Sequence, residues 1–461
     1  MGLFKKATES SGQAGNAGLL KITSFPLYIK WTTSPLAACI AASLILWVSF
    51  GLRQSIGIFQ IPVTQGNGWD RSSFALASAM LQICWGIFQP FIVYLGETKF
   101  GHGKTIFFAC LLYSVSSFVM MGSPSNNPGV FIFANALQGF AAGGNSFPII
   151  LSSVGRRIPL SSKYRNIAFG VVSGFGSMGQ FCFLPMCRAM ISSIGWRNTF
   201  LVFGIVMAVM SPLAVFVQRI PIPKNDELVK VNEKAASKAE DIEIATMKDS
   251  DEDDQLPEGK VPDAVLAKKP YIKDQDIGTV LKRAFTSPTF VLITLGFSVC
   301  GFHVAFLSTN LPAYLQDQGV SASLAAWVIS ILGIGSVVGT ISTGIACNYI
   351  KPKYILTFIY TARAVMIAIF YFVELSMATI IVFAIIFGFL WLSTVPPTTR
   401  FVGDVFGNKY LGTLTSITFI GKPPMATVIS IQGPFSRLNL ISPDRSPNRL
   451  FLWCLRGWTC V

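Results

Sequence analysis

Gly51-Leu52-Arg53-Gln54-Ser55-Ile56-Gly57-Ile58-Phe59-Gln60-Ile61-Pro62 lies late in an apolar stretch, and its frame returns 250 residues later as Gly301-Phe302-His303 with Pro312 in the place of Pro62. Each copy puts an ionisable residue inside a hydrophobic segment. Each then leads through a short polar loop, Gly66 to Ser73 and Gln316 to Ser323, into another long apolar segment. Two such halves indicate a duplicated helical membrane bundle, and parallel repeats of this kind place a binding site at their interface near mid-membrane.

Composition points the same way. Of 461 residues 52% are hydrophobic and 13% charged, whereas a soluble chain carries about 25% charged residues. A net charge of +14 would point to nucleic acid in a soluble protein. Here the cations sit in loops between apolar segments and set topology instead, so no nucleic-acid partner is expected. Lys5, Lys6, Lys21 and Lys30 precede the first apolar run without a cleavable signal pattern, so that run is read as a retained helix. The nine cysteines form no CxxC pair and no His/Cys cluster, which favours packing roles over metal binding.

A span needs about 20 mostly apolar residues. The chain offers eleven such runs, six before and five after a long polar interval: Leu36 to Phe59, Phe74 to Leu95, Thr105 to Gly122, Val130 to Ser152, Ile167 to Cys187, Asn198 to Gln218, Thr289 to Leu315, Leu324 to Ala346, Tyr354 to Val373, Met377 to Val395 and Tyr410 to Ile431. The expected organisation is an N-terminal cytoplasmic segment (1–35), a six-helix bundle (36–218), a cytoplasmic disordered linker (219–288), an incomplete C-terminal bundle (289–431) and an aberrant polar tail (432–461). The linker carries the acidic run Asp249 to Asp254 and too little apolar material for a core. With the N-terminus inside, Lys99, Lys104, Arg156, Arg157, Lys351 and Lys353 fall in cytoplasmic connections, as the positive-inside rule requires. The basic tail breaks that pattern and leaves a twelfth helix missing, which we read as an abnormal end of the coding region.

Arg53 is expected about 10 Å below the outer surface, at about 1.5 Å per residue. Burying such a charge costs about 2.5–3.5 kcal/mol at a helix centre, so it should face protein or a watery cavity. Guanidinium binds carboxylate through two parallel hydrogen bonds, which makes Arg53 the candidate anion anchor; outward snorkelling is the structural alternative. His303, one of two histidines, can bind substrate, carry a proton, or simply bond a neighbouring carbonyl. Asn310 lies near the same helical face. Polar stripes at helical spacing add Asn135, Gln138 and Asn145 in the fourth span, Gln82, Trp85 and Gln89 in the second, Ser173, Ser177 and Gln180 in the fifth, and Trp391, Thr394 and Thr398 in the tenth. Any one of these serves as cavity wall or as helix-to-helix glue, with glue the commoner role. Catalytic signatures are absent: no GxSxG, Walker A or HExxH occurs, and no paired carboxylates lie in an apolar run.

The text Gly51 to Gly57, Gly68-Trp69-Asp70-Arg71-Ser72, Arg165 to Gly179 with Pro185, Gly195-Trp196-Arg197, Gly301-Phe302-His303, Leu311 to Leu315 and Trp391 to Pro396 resembles the major facilitator superfamily. Within it, the resemblance is to monocarboxylate-transporter-like and oxalate/formate-antiporter-like carriers. It implies an all-α membrane protein of two parallel-repeat bundles rocking about a central site, with no prosthetic group. Relatives place aspartate and then a basic residue before Gly101; here those positions read Thr98-Lys99, with Glu97 one residue early, and the loop after the eighth span reads Asn348-Tyr349. The eighth span carries no charge, so proton symport is not implied.

The reading is a multi-pass cell-membrane carrier, not an enzyme and without a cofactor, monomeric in the lipid bilayer. It moves small organic anions, monocarboxylates foremost, by alternating access, with a proton or counter-anion as coupling partner. Its expected substrate-binding residues are Arg53, His303, Asn145, Gln138, Gln180, Asn310 and Trp391. Efflux of amphipathic or drug-like compounds, or a transport-inactive sensor or truncated carrier, is the alternative.

Overall fold

A computed structural model describes residues 34–158, 162–218, 277–317, 321–372 and 376–419. The N-terminal segment, most of the linker and the tail at 432–461 lie outside the described residues, as do the side chains of His303 and Asn310.

Every regular element among the described residues is helical. Helix α1 (Pro35–Gln54) starts on a proline, whose missing N–H costs nothing in a first turn. It runs through a 3₁₀ turn (Ser55–Phe59) into α2 (Gln60–Asn67), giving one 33-residue run that ends on Gly68 at φ 68°. Helix α3 (Arg71–Leu95) closes with a π-helical turn (Gly96–Phe100), and α4 (His102–Met121) follows. The expected fourth span is two pieces, α5 (Pro128–Gly143) and α6 (Phe147–Arg157). The expected fifth and sixth spans are two helices within Lys163–Met210, together labelled α7, separated at Gly195, where the backbone leaves the helix at φ 80° and ψ 165°. A short amphipathic helix, α8 (Ile277–Thr286), leads into α9 (Pro288–Asp317), then α10 (Ala322–Ala346) and α11 (Pro352–Phe372). The tenth span is also broken, into α12 (Met377–Leu390) and α13 (Val395–Phe406), and α14 (Leu411–Phe419) begins the eleventh.

The two broken spans occupy matching places in the repeat. Pro148 follows the first break, and Pro396 and Pro397 follow the second. A proline has no N–H for the carbonyl four residues back and is well suited to the first turn of a helix, so both positions favour the fresh start seen there.

The outward surface is apolar: Phe91 is 65% exposed, Phe108 66% and Leu292 67%. Lipid, not water, suits such a face. Inside, close approach of backbones does the work that hydrophobic burial does in a soluble core. A Cβ on Gly344 of α10 would stand 2.7 Å from the Gly170 Cα of α7, so this seam between the halves closes only because both are glycine. Gly179 of α7 likewise lies against the Trp47 carbonyl of α1.

Candidate functional site

Arg53 sits near the middle of the Pro35–Asn67 run, deeper than the shorter helix expected from sequence would place it. Its guanidinium lies 3.9 Å from the Trp85 ring centroid and 5.2 Å from that of Phe50. Stacking of this kind holds the cation in place through the ring's negative face while leaving its N–H fork free. No ion pair reaches it among the described residues: the pairs there are Arg156–Glu97 and Arg400–Asp404. The Tyr113 hydroxyl is in electrostatic reach of Arg53 and has no hydrogen-bond partner among the described residues.

Around this cation the first half buries more polar atoms than it pairs. One turn before Arg53 on α1, the Ser49 hydroxyl donates to the Asn145 carbonyl at the first helix break (3.3 Å), which brings Asn145 to the Arg53 side of the bundle. The Gln138 side-chain oxygen, both amide atoms of Gln180 and the Trp85 indole N–H are buried without partners among the described residues, and the Asn145 side chain has only the weakly accepting Cys110 thiol beside it. Helix-to-helix glue looks different: the Ser114 hydroxyl gives its hydrogen to the Gly204 carbonyl at 2.6 Å. A buried polar group ordinarily finds such a partner, and leaving it without one costs about 1–3 kcal/mol.

Trp391 is fully buried at the second break, packed edge-on against Phe387 with centroids 5.7 Å apart and its indole N–H unpartnered among the described residues. The next residue connects it to the other half. The Leu392 amide donates to the Ser336 hydroxyl (3.3 Å), which is 2.9 Å from that of Ser177, one turn before Gln180. Thus Asn145 comes to the Arg53 side, while the seam between α7 and α10 is bonded through Leu392, Ser336 and Ser177, neighbours of Trp391 and Gln180 rather than those residues themselves. For His303 and Asn310 the structure gives only their place on α9.

At the basic end, a connection that the sequence did not reveal ties the halves together. Glu97 is 2% exposed. Its Oε1 accepts from the Gly412 amide (2.8 Å) and the Ser152 hydroxyl (2.5 Å), and its Oε2 accepts from the Thr413 amide (3.0 Å) and hydroxyl (2.6 Å). Arg156 pairs with it at 3.0 Å and also donates to the Lys409 carbonyl. A carboxylate on the free amides of the α14 N-terminus is favoured by both the hydrogen bonds and the helix dipole. Beside it, Arg165 donates to the Asn408 side-chain oxygen (2.5 Å) and Asn166 to that of Asn348 (2.8 Å). The opposite rim is tied within the first half: Arg197 donates to Asn67 (3.2 Å) and Ser125 (3.3 Å), and the Trp69 indole to the Ser125 carbonyl (2.6 Å).

Comparison with known proteins follows this geometry. The sequence pattern of the Major Facilitator Superfamily matches residues 41–423. An uncharacterized MFS-type transporter of Bacillus subtilis, YcxA, is 21% identical over 384 residues, covering 80% of this chain and 79% of its own. Monocarboxylate transporter 12 of Xenopus laevis is 21% identical over 294 residues, covering 61% of this chain and 59% of its own. Among solved structures, the Escherichia coli fucose:proton symporter FucP superposes with a TM-score of 0.59 at 12% identity, over 90% of this chain and 94% of that one. The nucleoside transporter NupG gives 0.58 at 9% identity, over 91% and 95%. At such identities the structural likeness speaks for the fold alone.

Proposed function

The chain belongs to the Major Facilitator Superfamily, and from that premise we propose that it carries a small organic anion, foremost a monocarboxylate, with Arg53 as the anchor. Arg53 carries the reading: a guanidinium near mid-span, stacked on Trp85 and without a carboxylate partner among the described residues. A permanent cation in low dielectric calls for an anion, and its flat fork matches a carboxylate. The partnerless atoms of Tyr113, Gln138 and Gln180, with the Asn145 amide beside them, supply neutral donors and acceptors for the rest of a small polar cargo. The likeness to a monocarboxylate transporter over 61% of the chain leans the same way.

Alternating access then means that the clasp at Glu97 breaks and reforms as the halves rock about Arg53. By the positive-inside rule the basic end faces the cytoplasm of a cell membrane, with the N-terminus on that side. A clasped basic end corresponds to a carrier closed to the inside. The protein works as a monomer, and a proton or counter-anion balances the cargo's charge.

The test uses the full chain in proteoliposomes with radiolabelled lactate and pyruvate, and lactamide as the neutral match. Wild type should show saturable uptake of the acids and little of the amide. Arg53→Lys keeps the charge but loses the fork, weakening acid binding by about 1.5–3 kcal/mol, and Arg53→Gln should abolish it. A folded Arg53→Gln variant that still separates acid from amide as wild type does would falsify the assignment.

A further inference from the structure

The break in the tenth span leaves carbonyls that an unbroken helix would have used. Pro396 and Pro397 have no N–H, and the Val395 amide turns to the Leu392 carbonyl at 3.0 Å instead of reaching Trp391. The Leu390 and Trp391 carbonyls at the C-terminal end of α12 take their hydrogens from elsewhere. Arg363 of α11, 2% exposed, supplies them: its Nε donates to Leu390 at 3.1 Å, and its Nη2 donates to both Leu390 and Trp391. A cation at a helix C-terminus is favoured there. No carboxylate pairs with Arg363 among the described residues, so the two carbonyls are what this guanidinium holds.

The matching break in the first half is held differently. There the Ser146 hydroxyl donates to the Gly143 carbonyl (3.0 Å) and the Ser49 hydroxyl to that of Asn145 (3.3 Å). Neutral hydroxyls hold one bend and a planar cation holds the other, and a charged donor makes the stronger bond. From the second bend the path continues through the Leu392 amide to Ser336 and across the seam to Ser177.

We propose that Arg363 is a positioning residue for transport, a strap from α11 that fixes the bend of the tenth span and thereby the place of Trp391 and the Ser336–Ser177 connection between the halves. It acts through these backbone carbonyls. It makes the bend of the second half stiff, so that the seam registers movement of the outer helix α11.

The test compares Arg363→Lys, Arg363→Gln and Arg363→Met in the full chain, in nanodiscs, by tryptophan emission and acrylamide quenching. A lysine ammonium reaches one carbonyl at a time, and glutamine and methionine lack the fork. Each folded variant should red-shift emission and raise quenching, and the difference should vanish when the same change is made on a Trp391→Phe background. In proteoliposomes a second arm, which rests on the carboxylate reading, should show lactate flux down at least about tenfold with binding affinity near wild type, the reverse of what Arg53→Lys does. Any folded variant with unchanged Trp391-dependent emission overturns the proposal, and so does failure of all three to fold, which makes Arg363 a folding requirement instead. If wild type moves no lactate or pyruvate, the carboxylate reading fails while the emission arm still decides this one.

Discussion

Replacing Glu97 by glutamine removes the charge of the clasp while keeping its shape. The amide oxygen retains the place of Oε1, facing the Gly412 amide and Ser152. The new NH2 stands where Oε2 accepted from the Thr413 amide at 3.0 Å, so donor meets donor there, while the Thr413 hydroxyl at 2.6 Å can turn to accept from it. The bond from the Thr413 amide to a charged acceptor, worth about 1.5–3 kcal/mol, is lost together with the Arg156 pair. Truncating one side of a buried pair costs about 3–5 kcal/mol. Taking about 3 kcal/mol as the net loss, the clasped state weakens a little over a hundredfold at about 1.4 kcal/mol per factor of ten. Thr415, 1% exposed, follows the clasp residue Thr413 by two positions on α14. In a cysteine-free background, the rate at which Thr415→Cys reacts with a small thiol reagent tracks the unclasped fraction, however rare that state is. Glu97→Gln should speed this reaction by about a hundredfold at unchanged thermal stability of the first half. A change under about threefold in a folded protein would mean that Glu97 does not hold the halves together.

Other outcomes follow from the same geometry. Trp85→Leu removes the ring on which Arg53 is stacked, worth about 1 kcal/mol, so lactate affinity should fall about fivefold by equilibrium binding; equal affinity would detach Trp85 from the site. Gly179→Ala forces a methyl into the Trp47 carbonyl and should cost about 1–3 kcal/mol, read as a lower Tm in detergent, with an unchanged Tm speaking against the tight α1–α7 approach. Asn348→Asp strengthens the acceptor for Asn166, at 2.8 Å in the native pair, by about 1 kcal/mol; it should slow the Thr415→Cys reaction severalfold, and no slowing would show that this contact does not restrain opening.

The spans were legible because a bilayer demands about 20 apolar residues in a row, a demand written directly into stretches such as Phe74 to Leu95. The helix breaks were not read, although Pro148 and Pro396-Pro397 could have announced them. In a long apolar run a proline is as compatible with a kink as with a restart, and composition does not choose. The tight turn between the fifth and sixth spans rests on the positive φ of Gly195, which Gly195-Trp196-Arg197 marked only as a likeness. Arg53 was found because a lone charge in an apolar helix stands out. Tyr113 escaped because it is apolar by composition; Arg363 stands out as a cation within the ninth span, but its partner was not readable because backbone carbonyls are present at every position. Glu97 looked misplaced by one residue. The π-helical turn at Gly96–Phe100 winds wider than an α-turn, so the register that relatives set does not apply to it.

The two ends of the seam at the basic end are unequal. The second and eleventh spans meet through a buried carboxylate on two backbone amides, whereas their repeat counterparts, the eighth and fifth, meet through the Asn348 and Asn166 side-chain amides. A gate with true two-fold symmetry would part evenly along its length. This one has a bolt on one side and a latch of ordinary strength on the other, so parting begins beside Asn348 and the Glu97 side lets go last. Water and cargo crossing that end travel off-centre, and a probe near Asn166 is wetted before one near Gly412.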